Sequence, residues 1–267
     1  MTPDQILPGG SISSAVEQTT AELRKNPMAI RERTFLFELL CCSGEWDRAA
    51  KQLDVLAQAG PEQDAAVSRY RKVLEGEVRR RAVFQEGKLP GMPPNCPAWM
   101  SLHLEALTLL HSGSADQARA ALEQAAEQVA DLDAEVDGTP AEGLRDADDR
   151  FGPILELFTG AEYSWIPFSM IQSLTVNEPK NFRDLLYLPA TLVLHIGPLG
   201  EVFLPVRYPA SEQDGDEQVR LGKTTTWSNT DAGLSIGSGQ RFFAAGETDW
   251  PILQVRSVIF PAPADHV

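Results

Sequence analysis

The chain holds little of what catalysis or membrane anchoring is built from. Its 267 residues include only three cysteines and four histidines. Cys41, Cys42 and Cys96 are odd in number and sit at no metal-ligand spacing. Adjacent cysteines on a helix point about 100° apart, so Cys41 and Cys42 form no easy bridge. They read as small apolar core residues of a protein held in a reducing compartment. His103, His111, His195 and His266 are scattered. No run of 18 apolar residues occurs, which excludes a membrane-spanning helix. The first ten residues, MTPDQILPGG, lack the basic and apolar regions of a signal peptide. No Gly-x-Ser-x-Gly, His-Glu-x-x-His or Gly-x-x-x-x-Gly-Lys-[Ser/Thr] string is present.

Basic residues are also scarce. Lys and Arg number 23 against 38 Asp and Glu, a net charge of −15. Residues 1–130 carry 14 basic and 17 acidic side chains, and residues 131–267 carry 9 and 21, so the second half holds −12 of the total. Backbone binding to nucleic acid needs clustered Lys and Arg that displace counterions, and an anionic membrane surface needs the same. The sequence therefore argues for neither nucleic acid nor membrane as a partner.

What is present is a repeated hairpin of helices. Phe35 to Pro61, FLFELLCCSGEWDRAAKQLDVLAQAGP, reads as a helix, a tight turn at Ser43-Gly44-Glu45, and a second helix stopped by Gly60-Pro61. Gly44, Trp46, Ala49, Leu53, Leu56 and Pro61 match the second half of a tetratricopeptide unit. Gly113, Ala115, Ala118, Leu122 and Ala125 recur at the spacing of Gly44, Trp46, Ala49, Leu53 and Leu56. Stacking is how such hairpins bury their apolar faces. Before the first pair, residues 11–26 form an amphipathic helix capped by Ser11 or Ser13 and ended by Pro27. Between the pairs, residues 62–84 form a long helix with Val67, Tyr70, Val73, Leu74, Val78 and Val83 on one face. Arg79, Arg80 and Arg81 fall on or near its solvent side. The four prolines of residues 85–97 force a loop. Trp99–His111 and Ala115–Ala130 are the second pair.

After about residue 131 the helical period fades. Strands are expected at 163–167, 171–176, 190–196, 201–206, 219–227, 233–237, 240–245 and 252–259. Phe151–Phe158 reads as a short helix, Pro198–Gly200 as a hairpin turn, and residues 210–218 as an exposed acidic loop. Asn181 onward reads as one helical turn. The fold class is α+β: a tetratricopeptide-like helical domain, residues 1–130, then a small antiparallel barrel-like or curled-sheet domain, residues 131–267.

Asp146, Asp148 and Asp149, three carboxylates within four residues, have the chemistry to bind a divalent cation. They lack the glycine and terminal glutamate of an EF-hand. Helix capping and pairing with Arg150 are the competing use. A metal protein or enzyme using these three aspartates is the rival to a binding scaffold.

Several longer strings resemble one family. RERTFLFELLCCSGEWDRAAKQLDVL, RRRAVFQEGKLP, PAWMSLHLEAL, DADDRFGPILELFTGAEYSWIPFSMIQSLTV, EPKNFRDLLYLPATLVL, LPVRYPAS, TTTW and GQRFFAAG resemble, in order, the ImpE/TagJ family of type VI secretion accessory proteins. The resemblance runs over about residues 12–259. It implies a tetratricopeptide-like helical domain followed by a barrel-like one, and a cytoplasmic, non-catalytic role without cofactor or metal. It also implies contact with an amphipathic helix of the small sheath subunit, and a link with sheath handling by the ClpV ATPase. In tetratricopeptide arrays the first helix of each pair supplies the concave surface. Aligning Gly44 with Gly113 places Arg31, Thr34, Glu38, Met100, His103 and Leu107 there, as candidate partner contacts. Monomer and homodimer both remain open.

Overall fold

In the computed structural model, residues 11–129 and 132–261 are described, with the side chains of residues 61–63 left aside. The N-terminal segment 1–10, the expected boundary at 130/131 and His266 lie outside the described residues. Among the described residues six α-helices come first: α1 Ile12–Lys25, α2 Ile30–Cys42, α3 Trp46–Leu56, α4 Pro61–Glu86, α5 Met100–His111 and α6 Ala115–Ala126.

Local chemistry sets their ends. Ser11 caps α1, its hydroxyl accepting from the Ser14 N–H at 3.0 Å, one of the donors that a helix start leaves unpaired. Pro61 opens α4 at the position where its missing N–H costs nothing. Gly44 turns α2 into α3 at φ +72°, and a Cβ there would also lie 2.7 Å from Glu212 Cγ. Cys41 and Cys42 are free and buried in this packing. Burial pushes both thiols up, Cys42 to about 11, so neither is a thiolate at neutral pH.

The rest is sheet. Among the described residues thirteen strands run β1 Ala134–Val136, β2 Thr139–Ala141, β3 Arg145–Asp146, β4 Ile154–Thr159, β5 Glu162–Pro167, β6 Ile171–Val176, β7 Tyr187–Leu194, β8 Gly197–Pro205, β9 Thr225–Asn229, β10 Ser235–Gly239, β11 Phe242–Ala245, β12 Thr248–Pro251 and β13 Ser257–Ile259. A short helix α7, Glu217–Arg220, follows β8. Eight strands form one antiparallel sheet in the order β2-β1-β13-β6-β7-β8-β4-β5, with β9–β10 and β12-β11-β3 beside it. Its two outer strands, β2 and β5, do not pair with each other, so the sheet is open and the expected barrel does not close.

Both faces of this sheet are covered, and alternation along the strands sorts the side chains. Ile154 and Phe158 of β4, Tyr163 and Trp165 of β5, and Phe203 of β8 pack with Leu39, Trp46, Val73 and other helical residues in one core. Leu155, Leu157, Ile166 and Leu204 face the other way, into a second core with Phe243 and Val258. A strand buried on both faces reads as an unbroken apolar run. That is why Ile154–Phe158, expected as a helix, is a strand.

Helix α4 lies against the first face. Gly76 makes this approach feasible: a Cβ there would sit 2.6 Å from Phe158 Cδ1. The inward face of α4 therefore differs from the expected one. Val78 is 59% exposed, whereas Glu77 and Arg80 are buried. Arg79 stays outside and pairs with Glu162. The 195–196 turn joins β7 to β8, and Pro198–Gly200 lies inside β8 rather than in the turn. The 210–218 stretch is not a free loop. Ser211 is buried, and Glu217 Oε1 accepts from the Ile12 N–H at 2.9 Å, so this segment helps start α1.

Candidate functional site

A groove of about 610 Å³ runs along α2, with Arg31, Thr34, Phe35 and Glu38 on one wall and Asn181, Phe182 and Arg183 on the other. A second hollow of about 200 Å³ shares Ile30, Thr34 and Arg183 with it and continues over Leu53, Leu56, Val67 and Tyr70. The 181–183 wall is held by local bonds. Asp184 accepts from the backbone N–H groups of Lys180 and Asn181, both at 2.9 Å, within a capping box. This aims Arg183 across the groove. Its Nη1 donates to Glu38 Oε1 at 3.2 Å, its Nε to the Tyr70 hydroxyl at 3.1 Å, and its guanidinium lies 5.3 Å from the Tyr70 ring centre. Phe35 and Phe182 meet at 5.9 Å between ring centres. The result is an apolar trough with one oriented ion pair at its base and the exposed Arg31 at its rim.

Glu38 is 5% exposed. Burial pushes its carboxyl up to about 7, Arg183 pulls it down, and Asp184 pushes it further up. The folded protein therefore holds a proton that the unfolded chain releases near 4.5. More protons bound in the folded state means that this group's contribution to stability falls as pH rises from about 4.5 to about 7. Glu38→Gln should remove that fall. Between pH 5 and 8 the parent should lose on the order of 3 kcal/mol relative to the variant in denaturant melts. Parallel profiles for the two proteins would contradict it.

The six candidate contacts divide. Arg31, Thr34 and Glu38 line the one groove. Met100, His103 and Leu107 do not reach it and are buried, which corrects their expected place on an open concave surface. Strand β5 and its neighbours fill the space that such a surface would leave. The His103 ring stands 6.4 Å from Trp165 and 6.0 Å from Trp99, both edge-on. Burial lowers the His103 imidazole to about 4, so it is neutral.

The aspartate cluster is fully engaged. Asp146 pairs with Arg241 and accepts from the Tyr208 hydroxyl at 3.0 Å. Asp148 receives Arg150 through Nε at 2.9 Å and Nη2 at 2.5 Å, and accepts the Gly237 N–H at 2.8 Å. Asp149 accepts the Ser235 N–H at 2.7 Å and Arg145 Nη1 at 3.1 Å. These carboxylates fasten the 146–150 turn to β10 and β11. Among the described residues no group of three His, Cys, Asp or Glu side chains is arranged to hold a metal ion.

Behind the turn lies a buried ionic chain that the sequence reading missed. Arg80 donates to Glu156 through Nε at 2.9 Å and Nη2 at 2.6 Å, and Arg241 meets the same carboxylate from the other side. The Tyr163 hydroxyl donates to Glu156 Oε2 at 2.6 Å and accepts the Trp165 indole N–H at 2.6 Å. Burial works against the Glu156 charge, but Arg241 and Arg80 outweigh it and hold the carboxyl below its usual range. Arg80, expected near solvent, is therefore a core residue. A lone glutamate inside the apolar run ILELF was the available signal.

Three comparisons bear on identity. The model of the ImpE protein family matches residues 138–259. The type VI secretion system accessory component TagJ of Pseudomonas aeruginosa is 36% identical over 251 residues, covering 93% of this chain and 88% of that protein. A crystal structure of a Vibrio parahaemolyticus protein aligns with a TM-score of 0.84 at 22% identity and covers 94% of each chain, a likeness of fold. With more than a third of its residues identical to TagJ over nearly its whole length, the chain belongs to the ImpE/TagJ family of type VI secretion accessory components.

Proposed function

We propose that this chain is a non-catalytic, cytoplasmic adaptor of the type VI secretion system. It holds an amphipathic helix of the small sheath subunit in the groove between α2 and the Asn181–Arg183 turn, and it assists sheath handling with the ClpV ATPase. The observation that carries the reading is the groove itself. It is apolar along Ile30, Phe35 and Phe182, it carries an oriented Glu38–Arg183 pair, and Arg31 stands free at its edge. Helix-in-groove recognition needs an apolar trough with a few fixed polar groups. The α2–α3 and α5–α6 hairpins are read as tetratricopeptide-like units, of which only the first keeps an open first-helix face.

A peptide copying the amphipathic helix of the small sheath subunit should bind with a dissociation constant on the order of micromolar, since a short helix loses ordering entropy on binding. Arg31→Glu should weaken it about tenfold, as loss of one well-placed charge contact does. Phe35→Ala should weaken it by removing apolar wall. Asp214→Asn and Asp216→Asn should bind as the parent does, because both lie away from the groove. Glu217 is unsuitable as a control, because it supports the start of α1. Normal binding by the Arg31 and Phe35 variants, with loss in the Asp214 and Asp216 variants, would move the contact to the β-rich half.

A further inference from the structure

We propose that a second cavity, between the last turns of α4 and α5 and the 209–213 segment, binds the oxyanion group of a small organic molecule, a phosphate or a carboxylate, through Arg81. The cavity is about 250 Å³ and is lined by Arg80, Arg81, Arg150, Phe84, His111 and Gln213 among others. It is separate from the α2 groove and shares no residue with it.

The three guanidiniums differ in what they are doing. Arg80 is spent on Glu156 and the Arg207 carbonyl, and Arg150 on Asp148. Arg81 makes no ion pair or hydrogen bond with any described residue, and its buried Nε has no acceptor. Its guanidinium instead lies 5.9 Å from the Trp46 ring centre, a contact that leaves its N–H groups without acceptors. A buried donor left without an acceptor is costly, and a planar guanidinium is built to receive two oxygens of a carboxylate or phosphate at once. Glu77 also lines the cavity. Its charge opposes an incoming anion, and Arg80, 3.6 Å away, offsets it. The carbonyl ends of α4 and α5 carry partial negative charge that opposes binding, but Arg81 stands more than one turn in from the end of α4.

The far side of the cavity is apolar, with Val83, Phe84, Leu107 and Pro209. It suits a ligand with one anionic head and a compact apolar body. Ala210 on the rim adopts φ +67°, a left-handed conformation uncommon for a residue with a side chain and found preferentially at binding sites. The net charge of −15 excludes a polyanion but not a small anion that reaches Arg81.

The test is a titration of the full chain with inorganic phosphate, phenyl phosphate and benzoate at constant ionic strength, read by tryptophan fluorescence. Trp46 sits on Arg81 and should report occupancy. At least one probe should saturate at one site per chain, with a dissociation constant on the order of 0.1 mM for a ligand of about ten non-hydrogen atoms. Phenyl phosphate alone would assign a phosphate ester, benzoate alone a carboxylate, and inorganic phosphate alone a free phosphate. Arg81→Gln should weaken the effective probe at least tenfold, and Arg79→Gln, two residues earlier on the solvent face, should not. If Arg81→Gln does not fold, Gln213→Trp, changed at an exposed residue that lines the cavity, should fill it with the same effect. No saturation by any probe up to about 10 mM, or equal binding in the Arg81 or Gln213 variant and the parent, overturns the proposal.

Discussion

Glu156→Ala should cost at least 3–5 kcal/mol and leave much of the protein unfolded at room temperature. The side chain is fully buried and receives Arg80, Arg241 and the Tyr163 hydroxyl. Its removal leaves two guanidiniums in the core with one compensating charge fewer. Breaking a buried ion pair by deleting one member costs about that much, against a total stability of about 5–15 kcal/mol for an ordinary domain. Asp146 still faces Arg241, but Arg80 would keep Glu77, at 3.6 Å, as its counter-charge, with the Arg207 carbonyl beside it. The pair change Arg80→Met with Glu156→Leu should be milder than Glu156→Ala alone, because apolar residues of similar size need no counter-charge. A loss under about 1 kcal/mol for Glu156→Ala in a denaturant melt would mean that water reaches and solvates this network.

Residues 1–129 made alone should show no cooperative melt. The helices share their core with the strands: Phe151, Phe158, Tyr163, Trp165 and Tyr208 sit among Leu39, Val73 and Met100. Arg207 donates to the Cys41 and Cys42 carbonyls, each at 3.2 Å, where α2 runs out of its own hydrogen-bond partners. Removing the second half exposes these carbonyls and the aromatic-facing side of α4, including Arg80 and Glu77. We propose that the two halves form one folding unit although secondary structure changes class near residue 131. A fragment that melts sharply, with far-ultraviolet circular dichroism typical of packed helices, would support separate domains instead.

How much of this could be read from the chain depends on distance along it. Helix ends were legible because their causes are local: Ser11, Gly44, Gly60-Pro61 and Gly113 act within a few residues. The repeat register put Arg31, Thr34 and Glu38 on one helix face, and the three line one groove. The equivalent face of α5 could not be read in this way, because repeat geometry knows nothing of the sheet that later covers Met100 and His103. The groove's other wall, Phe182 and Arg183, lies some 145 positions from Glu38, and no period links them. Strands β1 to β3 are too short to show alternation, and β4 is buried on both faces, so it shows none. Arg80 looked solvent-facing because its partner is 76 positions away. The ionic core was thus visible only as an isolated Glu156 in an apolar run.

The position of the last strand carries a consequence for biosynthesis. β13 is latest in sequence, yet it sits between β1 and β6. As the chain leaves the ribosome, the β1–β2 hairpin emerges early and waits with one side unpaired until Ser257–Ile259 arrives to bridge it to β6. Through that interval the nascent protein has two open strand borders, at β1 and at β6, that the finished one does not. Such borders invite pairing with other chains. Rapid capture of β13 would shorten that interval, and the Asp137 carboxylate, which accepts the Arg256 and Ser257 N–H groups at 2.9 and 2.7 Å, is placed to catch it.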